Sequence, residues 1–390
     1  MTRSRAESAD TVDFEDEFTS PPVLAGYTYR PEEAYAARNE GRLLAIRLET
    51  NRSCNLSCRY CYAQSGGNVT DESTYDTLCD IVRQARDLGV KSIVVIGGGE
   101  PTLHPQFRQL ISFIDSLGIR PMVFTNCLKV TEGLASFLYD HNASVMGKLD
   151  SLRPEVQNYL AGRENAYDRI HRGLEKLLEA GFGEPDEPEK LRLGASFVSC
   201  QMNLSEIEDI WHFCRRRNIF PNMEVLTPTG RANHNLADQS LKTDEIMTYK
   251  LRMLEVDRSH YGYDWLPYTP LAGSGCLQHL YSLYVTIEGD VRPCAPTKFD
   301  EHPDLKEDGV YPHNVRRRSL EDIYSSDLFS YVRHIDRHLE GRCGGCEHLN
   351  ECIGCRGYAY SVGVSQGRSP REALRMGCLQ CDKETGNPAR

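Results

Sequence analysis

The chain has 390 residues and a formal net charge of −11, and 40% of its residues are hydrophobic. An acidic surface repels phosphate backbones and anionic headgroups, so we expect neither a nucleic acid nor a membrane as a partner. We find no apolar run of about 18 residues and no signal peptide, and therefore expect a cytoplasmic protein. In that reducing compartment, the 15 cysteines predict metal ligands or catalytic thiols more readily than disulfides.

Strand and helix patterns alternate along the first half of the chain. We predict strands at 43–50, 92–96, 121–125, 144–149, 191–200 and 223–226, and helices at 71–88, 107–117, 130–139, 166–180 and 205–217. This alternation implies a parallel sheet covered by helices. The βα units are fewer than the eight of a closed barrel, so the predicted fold class is α/β with a partial (β/α)6 barrel.

The pattern changes after the barrel. We predict a long helix at 242–256, a β-hairpin at 281–292 and one helix at 320–339. The expected domains are a partly disordered N-terminal extension at 1–41, the barrel at 42–235, a bridging helix and linker at 236–275, and a small cysteine-rich domain at 276–390.

Three cysteines follow the first predicted strand in a tight loop. Cys54, Cys58 and Cys61 stand at the strand end where an α/β barrel holds its active site. Cubane iron–sulfur clusters usually take four thiolates, so three ligands leave one iron open for catalysis. Structural zinc is the alternative, but no further cysteine or histidine lies within about 15 residues to complete its ligand set.

This loop, with Tyr60 inside it, resembles the signature of radical S-adenosylmethionine enzymes. The resemblance implies a [4Fe-4S] cluster bound by the three cysteines, with S-adenosylmethionine chelating the open iron. Reduction, by a flavodoxin- or ferredoxin-type donor, then gives a 5′-deoxyadenosyl radical that abstracts hydrogen from the substrate. The cofactor carries the difficult chemistry and the protein positions the reactants.

Further motifs follow in the order typical of that family. By resemblance, the glycine run after the second strand binds the cofactor's ammonium group, because glycine lets the backbone approach a ligand closely. A Thr-Asn pair ends the third strand, with Cys127 where the family has glycine. The cofactor-binding residues implied are Gly98, Gly99, Glu100, Pro101, Thr125, Asn126, Lys148, Ser151, Ser196 and Leu226. A plain βα turn and satisfied strand-end polar groups are the alternatives.

The C-terminal region carries a second set of cysteines whose spacing resembles the SPASM domain of auxiliary iron–sulfur clusters. Paired Cys-x2-Cys spacings also occur in zinc ribbons, which is the alternative. The central group ends in Cys-x2-Cys, where the family has Cys-x3-Cys. The implied ligands of a first auxiliary [4Fe-4S] cluster are Cys276, Cys294 and Cys355. Those of a second are Cys343, Cys346 and Cys352, completed by Cys378 or Cys381.

Two further thiols are candidate catalytic groups. Cys127 and Cys200 lie at or near strand ends, where a thiol can return hydrogen to a substrate radical. The alternative is that they pack as small apolar side chains.

The substrate class is inferred from comparison within the family. Peptide-modifying members often carry a leader-recognition domain, which we do not expect before residue 42, and sulfatase-maturing members have an aspartate where this chain has Ala295. We therefore expect a small polar substrate of natural-product or antibiotic biosynthesis, a carbohydrate or aminocyclitol whose secondary alcohol is oxidised to a ketone. The alternatives are epimerisation with a cysteine hydrogen donor, peptide modification, and a non-catalytic iron–sulfur or zinc scaffold.

Overall fold

The computed structural model describes residues 18–67, 72–185, 187, 189–227, 229–297, 307 and 311–381. The strands in that part are β1 (Val23–Leu24), β2 (Ala45–Glu49), β3 (Ser92–Ile96), β4 (Arg120–Thr125), β5 (Ser144–Lys148), β6 (Lys190–Leu191), β7 (Leu193–Ser199), β8 (Ile219–Val225), β9 (Ser282–Val285) and β10 (Val291–Arg292). The α-helices are α1 (Pro31–Asn39), α2 (Tyr75–Asp87), α3 (Phe107–Ser116), α4 (Glu132–Asp140), α5 (Pro154–Ala161), α6 (Ala166–Leu177), α7 (Ile207–Arg215), α8 (Ala232–Asn235), α9 (Thr243–Tyr261), α10 (Gln278–Tyr281), α11 (Leu320–Tyr324), α12 (Asp327–Arg333), α13 (Arg356–Ser365) and α14 (Pro370–Arg375). None of these helices is both long and apolar enough to cross a membrane.

One sheet organises the molecule, with the strand order β10-β9-β2-β3-β4-β5-β7-β8. The strands from β2 to β8 pair in parallel, which confirms the partial (β/α)6 barrel. The predicted hairpin is also present, because β9 and β10 pair antiparallel. β9 pairs in parallel with β2, placing Tyr284 opposite Arg47, so the cysteine-rich domain extends the barrel sheet.

The local sequence explains why these elements form. In α2, the buried side chains of Leu78, Ile81 and Ala85 recur at the spacing of one helix face. The Thr74 hydroxyl accepts a hydrogen bond of 3.2 Å from the N–H of Thr77 and begins this helix. β3 is almost continuously buried, as expected for a strand covered on both faces.

The structure corrects one predicted element and orders part of another. The single helix predicted at 320–339 was wrong: α11 and α12 are separate, because Ser326 has extended backbone and stands at the N-cap of α12. In the N-terminal extension, β1 pairs with β6 and α1 starts at Pro31. The predicted disorder of residues 1–17 lies outside the described residues.

A buried ion pair fixes helix α9 against the barrel. Asp257 accepts hydrogen bonds of 2.9 and 2.6 Å from the Arg215 guanidinium. The indole N–H groups of Trp211 and Trp265 donate to the same carboxylate at 2.8 and 2.9 Å. The carboxylate is therefore fully satisfied, and the predicted bridging segment packs tightly on α7.

Polar side chains line the inside of the barrel. Alternate residues of a strand face opposite sides, and Ile46 and Leu48 belong to the apolar core. Arg47 and Glu49 therefore face the other side, as the bond of Glu49 to Tyr284 shows. We call this polar interior the lumen; it is lined by Arg47, Glu49, Ser196, Asn222 and Glu224.

Candidate active site

The loop that follows β2 carries the expected cluster ligands, Cys54, Cys58 and Cys61. The last turn of α5 holds this loop, since its carbonyls accept hydrogen bonds of 3.2 and 3.0 Å from the N–H groups of Ser57 and Arg59. Arg231 holds it from the other side. Its Nε donates to the Cys58 carbonyl at 2.9 Å and its backbone N–H donates to the Cys61 carbonyl at 3.1 Å.

The three thiols are close enough to influence one another. Burial raises the pKa of Cys58 to about 11, although the positive charge of Lys148 opposes the rise. Burial also raises the pKa of Cys54, and Cys61 adds to the rise at both positions. Such thiols become thiolates when a metal centre supplies compensating positive charge, so the donor set fits an iron–sulfur cluster.

The glycine run lies directly against the cluster loop. The N–H of Glu100 donates to the Ser53 carbonyl at 2.8 Å. A Cβ on Gly99 would lie 2.1 Å from that same oxygen, and one on Gly98 would lie 3.1 Å from a carboxylate oxygen of Glu49. Side chains are excluded here by space, which makes a backbone-lined cradle beside the three cysteines.

Glu100 joins this cradle to the ends of neighbouring strands. Its Oε1 accepts hydrogen bonds from the hydroxyls of Thr125 and Thr102 at 2.7 and 2.6 Å, and its Oε2 accepts one from the N–H of Asn126 at 2.8 Å. The Asn126 amide in turn donates to Asn55 in the cluster loop at 2.6 Å. Burial raises the pKa of Glu100, and these hydrogen bonds oppose the rise.

Two residues expected at the cofactor carboxylate are engaged with protein groups. The Lys148 ammonium contacts the Tyr60 hydroxyl and pairs with Asp150. Burial alone would lower the pKa of Lys148, but the negative charge of Asp150 raises it overall. The Ser151 hydroxyl donates to Glu206 at 2.7 Å. Contact of either residue with a cofactor stays a prediction.

The other two weakly marked positions lie in different environments. Ser196 is in the lumen, where its hydroxyl accepts a hydrogen bond of 3.2 Å from the Asn222 amide. Leu226 is buried in a small apolar cluster, with Tyr60 of the cysteine loop packed against it. Leu226 thus supports the loop that carries the cluster ligands.

Both candidate hydrogen-donor thiols are enclosed by the protein. Cys127 has a left-handed backbone with φ 65°, which explains why the resembling family has glycine there. A Cβ on Gly147 would lie 2.9 Å from the Cys127 sulfur, and burial raises the pKa of this thiol to about 12. Cys200 belongs to the same apolar cluster as Leu226. Their role as hydrogen donors stays a prediction.

The first group of C-terminal thiols surrounds the start of α13. The Cys355 sulfur accepts a hydrogen bond of 3.4 Å from the N–H of Tyr358. Burial raises the pKa of Cys355 well above its ordinary value, with further contributions from Cys378, Cys294 and Cys276. These four thiols therefore share one buried region, although residues 276 and 355 are far apart in the chain.

The second group centres on Cys352. Burial raises the pKa of Cys352 to about 12, and the nearby Cys378, Cys343 and Cys381 contribute. The N–H of Cys378 donates to the Cys343 sulfur at 3.2 Å, and the Cys378 sulfur accepts from the N–H of Cys355 at 3.3 Å. Cys378 therefore lies between the two groups, and Cys381 lies with the second.

Cys346 is the remaining expected ligand, and it follows Cys343 in a tight turn. Its N–H donates to the Cys343 carbonyl at 3.3 Å. The unusual Cys-x2-Cys spacing at the end of the central group is made possible by Gly354, which has a φ of 68°. A Cβ on Gly354 would lie 2.5 Å from the Cβ of Cys378, so glycine is also required by space.

A buried lysine faces the second group. Lys250 has no solvent exposure, and its ammonium donates to the Thr269 carbonyl at 2.6 Å. Two turns earlier on α9, the Thr243 hydroxyl donates to the Leu379 carbonyl at 2.9 Å, so this helix face packs on the segment that contains Cys378. Burial lowers the pKa of Lys250 and the neighbouring cysteines oppose that fall, as expected of a counter-charge for an anionic metal centre.

The donor chemistry of both C-terminal groups fits iron–sulfur clusters. In the described part of the chain, no three His, Cys, Asp or Glu side chains meet at the spacing of a single bound metal ion. A four-iron cluster spreads its thiolate ligands farther apart than one zinc ion does. The cysteine groups are therefore better suited to clusters than to zinc.

Comparison with known proteins agrees with this geometry. A family model described as the radical SAM superfamily matches residues 48–191, and one described as the iron–sulfur cluster-binding domain SPASM matches residues 276–347. Mycofactocin maturase MftC of Mycobacterium tuberculosis (strain CDC 1551 / Oshkosh) is 25% identical over 334 residues, covering 82% of this chain and 80% of that protein. An AdoMet-dependent heme synthase of Methanosarcina barkeri is 23% identical over 359 residues, covering 84% and 94%.

Solved structures share the fold. Streptococcus suis SuiB bound to S-adenosylmethionine has a TM-score of 0.66 at 16% identity, covering 90% of this chain and 81% of that chain. The enzyme anSMEcpe with bound AdoMet has a TM-score of 0.62 at 16% identity, covering 82% and 90%. These likenesses confirm the α/β core and the cysteine-rich C-terminal domain as a known arrangement.

Sequence reasoning missed the lumen residues Arg47, Asn222 and Glu224, and the Tyr60 partner Asp150. A signal for the first was present. Arg47 and Glu49 are charged residues at alternate positions of a strand that is otherwise apolar. Charged side chains in a buried parallel strand indicate an interior site.

Proposed function

We propose that this chain, which carries a radical S-adenosylmethionine domain followed by a SPASM iron–sulfur domain, modifies a peptide by hydrogen abstraction. The observation that carries the proposal is the similarity to mycofactocin maturase MftC over 82% of the chain. The fold is also that of SuiB, which has been solved with a precursor peptide bound, at a TM-score of 0.65.

This proposal replaces the expected alcohol dehydrogenase as the first candidate. Neither the maturases nor the heme synthases support oxidation of a carbohydrate or aminocyclitol alcohol. The heme synthase relatives keep a small-molecule substrate as the second candidate, and alcohol oxidation or epimerisation belongs to it.

The residues of the chain would divide the work as follows. Bound cluster and S-adenosylmethionine would together supply the radical that removes hydrogen from the substrate. Glu100 and the adjoining glycine backbone would hold the amino end of the cofactor, in a cradle already ordered by hydrogen bonds. The lumen would receive the reacting part of the substrate, because its buried polar groups can orient it. Cys276 and Cys294 would hold the first auxiliary cluster beside that space.

The test is formation of 5′-deoxyadenosine by the anaerobically reconstituted, dithionite-reduced protein. A pool of synthetic peptides and a pool of aminocyclitols and amino sugars are supplied separately, and each pool is followed by mass spectrometry. We expect the peptide pool to raise the rate and a peptide to change in mass. Cys58→Ala removes a cluster ligand and abolishes the response, whereas Cys79→Ala, a buried cysteine on α2, keeps it.

The small-molecule pool gives the opposing outcomes. Stimulation by that pool alone, with a loss of about two mass units, would establish the dehydrogenase and overturn peptide modification. Stimulation by that pool without a mass change, but with one deuterium gained from heavy water, would establish an epimerase instead.

A further inference from the structure

The lumen contains a buried cation that no carboxylate neutralises. Arg47 is 8% exposed, and its guanidinium lies 5.7 Å from the centroid of the Tyr27 ring. Within the described ranges, Arg47 forms no ion pair with an acidic side chain. A cation–aromatic contact offsets only part of the cost of burying a guanidinium, which is normally paired with an anion.

An unused hydrogen-bond acceptor faces the same space. Asn222 is 1% exposed, and its amide nitrogen donates to Ser196 at 3.2 Å and to Glu224 at 2.9 Å. Its Oδ1 is buried and has no partner. A buried carbonyl of this kind costs free energy unless a donor reaches it, so the site lacks an N–H or O–H group.

Glu224 does not serve as the missing anion of Arg47. The amide of Asn222 holds one of its oxygens, and no ion pair forms between the two charged groups. They nevertheless act on the same region: the charge of Arg47 opposes the rise in the pKa of Cys276 and Cys294 that burial causes, and Glu224 adds to that rise. The free guanidinium, the free carbonyl and the first auxiliary thiols therefore surround one cavity.

We propose that Arg47 binds a carboxylate of the substrate, while the Oδ1 of Asn222 accepts a hydrogen bond from a neighbouring N–H or O–H of the same substrate. The planar guanidinium matches a carboxylate with two parallel hydrogen bonds, which gives orientation as well as affinity. The inference deepens the proposed function and rests on it, because a peptide carries this chemistry either at its C-terminus or on an acidic side chain next to a backbone N–H.

Binding to the reconstituted holoenzyme with S-adenosylmethionine, measured by anaerobic calorimetry, tests the proposal. The probes are acetyl-trialanine as free acid and as amide, the amidated peptide with one alanine replaced by Glu or by Gln, and 3-phenylpropionate with its amide. We expect a carboxylate form to bind about ten- to a hundredfold more tightly than its neutral form. Arg47→Gln reduces that ratio to about twofold or less, and Arg47→Lys restores part of it. Arg172→Gln, an exposed arginine on α6, leaves the ratio unchanged.

The probe that responds identifies the carboxylate. Preference for the free acid of trialanine assigns the C-terminus, and preference for Glu over Gln assigns an acidic side chain. Tight binding of 3-phenylpropionate alone, dependent on Arg47, keeps the carboxylate site and overturns the peptide substrate. Peptides that bind equally well with and without a carboxylate, and equally to Arg47→Gln, overturn the site and leave peptide modification standing.

One further outcome overturns the proposal. If Arg47→Gln shifts the midpoint potential of the first auxiliary cluster in an EPR-monitored redox titration but keeps the carboxylate preference, then Arg47 serves the cluster rather than the substrate. A role in substrate binding instead requires the loss of carboxylate preference, with a raised KM for the acid and an unchanged KM for the amide.

Discussion

Replacing Gly99 with alanine tests whether the glycine run is shaped by close contact with the cluster loop. The added Cβ would lie 2.1 Å from the Ser53 carbonyl oxygen, whereas real Cβ contacts essentially never fall below 3.0 Å. The backbone of Gly99 is not left-handed, so alanine meets a problem of space and not of conformation. Either the run or the loop must therefore move by about 1 Å.

The magnitude follows from two contributions. Overpacking a tight site costs about 1–3 kcal/mol. The movement also weakens the hydrogen bond of 2.8 Å from the Glu100 N–H to Ser53, which is worth about 1 kcal/mol. If the whole cost falls on the arrangement that binds S-adenosylmethionine, Kd rises by roughly thirty- to a thousandfold. Gly98→Ala has a smaller effect, because its Cβ would stand 3.1 Å from the Glu49 carboxylate, which is the end of a side chain.

The assay is calorimetric titration of the reconstituted protein with S-adenosylmethionine, alongside the absorbance and EPR spectra of the cluster. Gly67→Ala is the matched control in the neighbouring loop, since nothing lies within 4 Å of its added Cβ. A Gly99→Ala protein that keeps its cluster and binds the cofactor within twofold of the wild type would refute the reasoning.

Three further predictions concern buried groups away from this contact. Asp257→Asn lowers the unfolding free energy by about 3–5 kcal/mol, because it leaves the Arg215 guanidinium buried without its anion; the exposed Glu255→Gln changes it by less than about 0.5 kcal/mol in the same denaturant titration. Burial lowers the pKa of His279 to about 3, so the folded state stays neutral while the unfolded state gains a proton below pH 6.5. Stability therefore falls by about 1 kcal/mol from pH 6.5 to 5.5, and His279→Gln removes that share of the pH dependence. Replacing Cys127 or Cys200 with alanine leaves turnover unchanged if these enclosed thiols only pack, and loss of product deuteration from heavy water in either variant would establish a hydrogen donor.

Local sequence determined the order and type of the barrel elements. Helix and strand periodicities are set by neighbouring residues, so β3 was predicted with its observed limits, and α2 within a few residues. The cysteine loop was equally legible, because three thiols within eight residues can reach one centre without help from distant parts of the chain. Even Cys127 in place of glycine was visible, although only its φ of 65° shows what that position demands.

Contacts between distant residues were decided by the tertiary structure. Spacing alone did not show that Lys148 is committed to Asp150, that Ser151 is committed to Glu206, or that Lys250 stands beside the C-terminal cysteines. The pairing of β9 with β2 was also unforeseen.

Arg47 and Asn222 illustrate the physical reason for this division. Their sequence neighbours fix that each lies in a strand, but only closure of the barrel brings a cation without an anion to the same cavity as an acceptor without a donor. Hydrogen bonding and ion pairing are satisfied by whatever the fold places within about 3 Å, and that distance is set by packing between elements rather than by position along the chain.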